Sequence, residues 1–118
     1  MNPFEIHPVW QLSKNLSLEI FELSKAFPSN VQLGLSAQLQ SSVLEIQSSI
    51  VKAVTSENKA EILYLSKLTR QHMAALESQL RVATDLTHIQ EEIYLDLKQV
   101  ISSIYLQLTE FTIERVRP

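Results

Sequence analysis

The sequence predicts an all-α protein, folded as an antiparallel up-down-up-down four-helix bundle in a single domain over residues 1–118. Three observations carry this prediction. Apolar residues recur every three or four positions along four segments, glycine occurs only once, and the connections between the segments are short. This spacing places one apolar stripe along each helix. Four such helices can bury their stripes against one another, and short connections make successive helices antiparallel.

The first two helices are predicted over residues 8–27 and 35–54. Pro8 suits a first helical turn, because the N–H that proline lacks would have no helical partner there. After the first helix, Ser29 and Gln32 have the spacing of a capping box. The expected inward residues are Val9, Leu12, Leu16, Ile20, Leu23 and Phe27 in the first helix, and Leu39, Val43, Ile46, Ile50 and Val54 in the second.

The third and fourth helices are predicted over residues 58–86 and 88–115. Capping-box spacing is found again at the start of each, in Asn58 with Glu61 and in Thr87 with Gln90. The expected inward residues of the third helix are Ile62, Leu65, Leu68, Met73, Leu76, Leu80 and Ala83. Those around the fourth are Ile89, Ile93, Leu97, Val100, Ile104, Leu108 and Phe111.

Composition limits the classes of function. The chain has no cysteine, which excludes disulfides, thiolate metal sites and a cysteine nucleophile. The net charge of -3 provides no overall field that attracts nucleic acid. No apolar run approaches the ~20 residues that span a bilayer, and the first residues lack the pattern of a signal peptide. We therefore expect a cytoplasmic protein with no membrane contact.

The sequence offers no arrangement typical of catalysis. Di-iron bundles need Glu-x-x-His motifs, whereas the nearest pattern here is Asp85-x-x-His88, which we interpret as a chance surface arrangement. A single glycine cannot form a phosphate-binding loop, and no serine has an assignable base. His72 is expected to be partly buried and bonded to a Ser or Gln. We therefore predict that the protein is not an enzyme and has no metal site or cofactor.

Two surface patterns remain. Four basic residues lie on one side of the third helix and are candidates for nucleic-acid contact, with a solvated charged face as the alternative: Lys59, Lys67, Arg70 and Arg81. Apolar residues also lie outside the main stripes and are candidates for a subunit interface, with a wide core as the alternative: Trp10, Phe21, Tyr64, Tyr94, Ile101, Tyr105 and Leu106.

Three segments carry a family resemblance. Residues 9–11 read VWQ, residues 27–28 with 32–39 read FP and QLGLSAQL, and residues 74–80 read AALESQL. In this order and spacing they resemble the four-helix-bundle proteins encoded in intervening sequences of bacterial 23S ribosomal RNA genes. In that family the corresponding segments are VWQ, FP…xYGLTSQL and LAELETQL.

The resemblance implies a four-helix protomer that assembles into a ring-like homopentamer and has no enzymatic activity. It also points to the accessory variability determinant of diversity-generating retroelements, which binds nucleic acid and a reverse transcriptase. The chain departs from the family in its second helix. Gln40 and Ser41 replace paired arginines, and residues 46–53 replace the segment IPANIAEG. We predict a homo-oligomeric assembly or binding module with a possible RNA or protein partner. The alternative is an RNA-binding accessory protein of a retroelement reverse transcriptase.

Overall fold

The computed structural model describes residues 2–118 apart from the side chain of Leu33, and all regular structure in this part of the chain is helical. The prediction of an all-α protein is confirmed. None of the helices described is both long and apolar enough to cross a membrane. The four long helices are α1 (Pro8–Lys25), α2 (Ala37–Thr55), α3 (Lys59–Asp85) and α4 (Glu91–Val116).

The connection between α1 and α2 is more structured than predicted. A single α-helical turn, Ser29–Val31, and a π-helical segment, Gln32–Ser36, lead into α2. The capping box of Ser29 and Gln32 does not form. Instead, the Gln32 side-chain amide donates to the carbonyl oxygens of Ser24 and Phe27, at 3.1 and 2.8 Å. Gln32 therefore satisfies the Phe27 carbonyl just beyond α1 and gives a further hydrogen bond to the Ser24 carbonyl, which also accepts from the Phe27 N–H.

The two later turns differ in how their helices are capped. Asn58 Oδ1 accepts a hydrogen bond from the Glu61 backbone N–H at 2.9 Å, which confirms the predicted cap of α3. Thr87 does not cap α4, which begins only at Glu91. Thr87 instead has a φ of 68°, in the left-handed region. The backbone N–H of the next residue, His88, donates to the Ala83 carbonyl of α3 at 2.9 Å, as in a Schellman motif.

Each long helix packs against two others. The contacting pairs are α1 with α2, α2 with α3, α3 with α4, and α4 with α1. Between α2 and α3, Ser42 bonds Gln79 at 2.9 Å and Thr69 bonds Ser49 at 2.7 Å. Residue numbers therefore rise along α2 as they fall along α3, so these two helices run in opposite directions. The molecule measures 49 × 24 × 22 Å.

The apolar core follows the predicted stripe closely in α2 and less closely in α4. All five inward residues predicted for α2 are buried. In α4 the buried residues are Tyr94, Leu97, Ile101, Ile104 and Leu108, whereas Ile93, predicted to be buried, is 38% exposed. The buried side of α4 is thus rotated about the helix axis relative to the predicted one. Apolar residues lie on most sides of α4, so periodicity alone allows more than one side to be the buried one.

The side of α1 that faces the core carries serines that periodicity does not reveal. Ser13, Ser17 and Ser24 are buried, while the predicted Leu12 and Leu23 are only half-buried. Ser13 donates to the Trp10 carbonyl at 2.7 Å, which satisfies its hydroxyl within the helix. Small side chains at these positions let the neighbouring helices approach α1 closely.

Candidate functional site

An apolar surface extends over α1 and α2. The Trp10 ring packs edge-on against Phe4, with 5.0 Å between the ring centroids. These two rings line a groove of about 410 Å³ together with Leu44 and Val51 of α2. Phe21 lies about three helical turns beyond Trp10 and therefore on the same side of α1. We call this surface, formed by Phe4, Trp10, Phe21, Leu44 and Val51, the α1/α2 face.

The polar residues of the α1/α2 face are mostly uncharged. Gln47 and Ser48 line its groove, and Gln40 donates to Ser24 Oγ at 2.8 Å between the two helices. Two lysines also belong to this surface, Lys52 in the groove wall and Lys14, whose Nζ lies 5.8 Å from the Trp10 ring centroid. Aromatic residues with few charges among them are typical of the centre of a protein–protein interface.

The α1/α2 face contains residues that sequence reasoning missed. Trp10 and Phe21 were predicted interface residues and are half-buried at the surface, but Leu44 is 52% exposed and was not identified. Leu44 and Val51 are seven residues apart on the Ser- and Gln-rich side of α2. Two aliphatic residues at a two-turn spacing on an otherwise polar side were the available signal.

The other predicted interface residues are dispersed. Tyr94 and Ile101 are 7% and 0% exposed inside the chain, so the interface prediction is wrong for these two. The rotated core stripe of α4 is the reason. Tyr105 is half-buried beneath the Arg70 guanidinium, which lies 5.8 Å from the ring centroid. Tyr64 on α3 and Leu106 on α4 are exposed.

The predicted basic stripe on α3 is partly engaged by α4. Arg81 donates to Asp85 at 2.7 Å and to Glu91 at 3.0 Å, and its guanidinium lies 4.4 Å from the Tyr94 ring centroid. The hydrogen bond from Arg81 lowers the pKa of the Glu91 carboxyl. The hydrogen bonds that Arg81 donates, first to Glu91 and then to Asp85, raise the pKa of Arg81. Two carboxylates therefore offset the charge of Arg81, which makes it a poor phosphate ligand.

The remaining basic residues of this stripe differ from one another. Arg70 donates to Thr109 Oγ1 of α4 at 2.6 Å. Lys59 Nζ donates to the Arg117 carbonyl at 3.0 Å near the end of α4. Lys67 is exposed and shares a shallow pocket with Tyr64. The structure therefore leaves Lys67, beside an exposed aromatic ring, as the basic residue of the four that is best placed to meet an anion.

The histidines have partners that differ from the sequence expectation. His72 Nε2 lies 3.2 Å from Glu45 Oε2, so its partner is a carboxylate and not the expected Ser or Gln. The His88 ring lies against Phe27, with 5.5 Å between centroids, while Asp85 is bonded to Arg81. Within residues 2–118, no three His, Asp or Glu side chains come together in a group able to hold a metal ion.

Comparison with known proteins adds a family to this description. The family model described as 23S rRNA-intervening sequence protein matches residues 5–110 of the chain. A comparison with curated proteins finds no match. The family match includes α1, α2 and α3 in full and most of α4. The chain therefore belongs to the 23S rRNA-intervening sequence protein family.

Proposed function

We propose that this protein is a non-enzymatic assembly module that self-associates through the α1/α2 face. The observation that carries the proposal is the apolar groove that Phe4 and Trp10 form with Leu44 and Val51 of α2. Leu44 is 52% exposed there, and burial of such a side chain against a partner is favourable. Burial of such a surface against a second copy removes apolar area from water at about 25 cal/mol per Å².

The packing of the long helices supports this role. Each helix contacts two others and contributes a buried stripe to one core, as in an antiparallel up-down-up-down four-helix bundle. Phe4, Trp10 and Phe21 of the α1/α2 face pack against that core and remain half-buried at the surface. Trp10 and Phe21 are large and have few rotatable bonds, which suits them to act as anchors in an interface. We take a homopentamer as the expected assembly, following the family resemblance.

Exposed apolar residues also lie on α4, so the choice of the α1/α2 face needs a further observation. Leu95, Leu106 and Ile113 are exposed along one side of α4, with successive members seven or more residues apart. The α1/α2 face differs in that rings and aliphatic side chains from separate segments, Phe4, Trp10, Leu44 and Val51, line one groove.

The proposal is tested by light scattering coupled to size-exclusion chromatography. We expect the wild-type mass to be a multiple of 13.5 kDa, near five times for a homopentamer. Leu44→Glu should lower the mass because it places a charge at the centre of the interface. Leu95→Glu is the matched control, since Leu95 is also 52% exposed but lies on α4. A monomeric wild-type protein, or dissociation by Leu95→Glu and not by Leu44→Glu, would contradict the proposal.

A second candidate function is RNA binding as an accessory protein of a retroelement reverse transcriptase. The observation that favours it is the position of Lys67 beside the exposed Tyr64 ring on α3. A cation next to an aromatic ring can contact a phosphate while a base stacks on the ring. Binding of a structured RNA should then weaken as salt is raised, and Lys67→Ala should reduce both affinity and salt dependence. Lys25→Ala on α1 is the control. Absence of binding at low salt would exclude this function.

A further inference from the structure

A second groove lies between α1 and α4, on the other side of α1 from the α1/α2 face. It has a volume of about 500 Å³. Its floor is apolar and consists of Leu23, Ala26, Ile93 and Leu97. Its rim carries three carboxylates, those of Glu19, Glu22 and Asp96. We call this feature the acidic groove.

The floor of the acidic groove contains core-type residues that the chain does not cover. Leu23 and Ile93 have the helical spacing of inward residues, yet Leu23 is only half-buried and Ile93 is 38% exposed. Leu97, beneath them, is 3% exposed. The groove thus exposes the edge of the core to solvent. An aliphatic side chain inserted between Leu23 and Ile93 would complete packing that α1 and α4 begin.

The rim gives the groove a strong bias in charge. Glu19, Glu22 and Asp96 are exposed, and among the residues that the structure describes no lysine or arginine lines the groove. Lys25 Nζ lies 3.1 Å from the Glu22 carboxylate, but both side chains are more than 70% exposed. Such an exposed pair contributes little energy and can exchange its partner readily. The three carboxylates therefore attract cations and disfavour an acidic partner.

The dimensions of the groove fit a short helical segment. Glu19 to Ala26 covers eight residues, the last of them just after the end of α1, which is about 10 Å along the axis, or two helical turns. A helix laid in this groove presents side chains to it at positions i and i+4. We infer that the acidic groove docks two turns of an amphipathic helix from a partner protein. Its apolar residues at i and i+4 contact the floor, and its flanking lysines or arginines pair with the rim.

The test uses the full chain with isotope-labelled isoleucine, leucine, valine and alanine methyl groups. The probe is a synthetic 14-residue helical peptide with leucines at i and i+4 and lysines beside them. We expect saturable shifts in the methyl signals of Leu23, Ala26, Ile93 and Leu97. A matched peptide with glutamate in place of lysine should cause no shift, because the rim repels it.

Two charge-reversal variants locate the binding site. Glu19→Lys combined with Asp96→Lys should weaken binding of the lysine peptide by about tenfold or more, since both rim charges change sign. Glu57→Lys combined with Glu114→Lys alters the net charge equally at the opposite end of the helices. This control variant should bind like the wild-type protein. All four positions are exposed, so both variants should fold.

Three results would overturn the inference: equal weakening by the control variant, equal binding of the glutamate peptide, or absence of methyl shifts in the groove at any peptide concentration. Shifts confined to Leu44 and Val51 would place docking on the α1/α2 face and would also overturn it. The proposed self-association depends on the α1/α2 face and not on the acidic groove. Failure of one proposal is therefore distinguishable from failure of the other.

Discussion

The surface between α3 and α4 and the α1/α2 face use aromatic residues in opposite ways. Between α3 and α4, Tyr94 lies beneath the Arg81 guanidinium and Tyr105 beneath that of Arg70. On α1 and α2, by contrast, Trp10 packs against Phe4, and Leu44 is exposed. The α3 and α4 side chains thus satisfy one another within the chain, whereas the α1/α2 face is the surface that we propose for self-association.

The difference shows that residue type alone does not identify an interface. Tyr94 and Trp10 are both aromatic residues outside the predicted stripes, but Tyr94 has long basic neighbours one turn away and across the helix pair. Arg81 and Lys98 cover its ring with their side chains. Trp10 also has a lysine one turn away, Lys14, but its Nζ lies 5.8 Å from the ring centroid, against 4.4 Å between the Arg81 guanidinium and the Tyr94 ring. Tyr94 is buried and Trp10 is half-buried, so the two rings differ in how closely the nearest cation packs and in how far they are covered.

The largest effect on folding stability is expected from Ile101→Asp, in the α3 and α4 region. Ile101 is fully buried in α4, and a buried, unpaired carboxylate costs several kcal/mol. Urea unfolding should show the loss of most or all of the folding stability. Leu106→Asp, at a residue that is 58% exposed on the same helix, is the control and should change stability by less than about 0.5 kcal/mol. Equal effects would show that α4 is oriented differently.

A smaller effect should follow from Arg81→Gln, and it should depend on pH. The pKa of Glu91 is lowered from 4.5 in the folded protein by its bond to Arg81. Its contribution to stability is therefore present above the ordinary pKa and is lost as the pH falls through the lowered one. The Tm difference between wild type and variant should be constant near neutral pH and shrink below about pH 4.5. A Tm difference that does not change with pH would contradict a stabilising Arg81–Glu91 ion pair.

The smallest effects should distinguish two serines of α1. Ser24 Oγ accepts from Gln40 at 2.8 Å, so Ser24→Ala should destabilise the protein by about 1 kcal/mol. Ser17 Oγ is buried without a hydrogen-bond partner among residues 2–118, so Ser17→Ala should raise stability by about 0.5–1 kcal/mol. Both changes are read from urea unfolding. Effects of the same sign would contradict the difference in bonding.

The sequence predicted features that depend on local spacing. The inward side of α2 was correct because its other sides are rich in Ser and Gln, so only one stripe was possible. Asn58 was identified as a cap because its bond to Glu61 lies within one turn. The roles of Gln32 and Thr87 were not predictable, since each depends on the end of the preceding helix.

The candidate sites were predictable only in part, because some of their residues are brought together by two helices. Trp10 and Phe21 were identified because large aromatic residues stand out beside the stripe of one helix. Leu44 and the acidic groove depend on two helices at once. Whether Ile93 is covered is decided by the residues of α1 that lie opposite, and helical periodicity contains no information about them.

The position of Gln32 has a consequence for how the protein folds. Its amide donates to the carbonyl of Ser24, in the last turn of α1, and to that of Phe27, two residues after α1 ends. Ser36 Oγ also donates to the Ser24 carbonyl, so the π-helical segment Gln32–Ser36 adds two hydrogen bonds to the one that this carbonyl accepts from the Phe27 N–H. The end of α1 and the start of α2 consequently form one cooperative unit, which opens and closes together when this end of the molecule fluctuates.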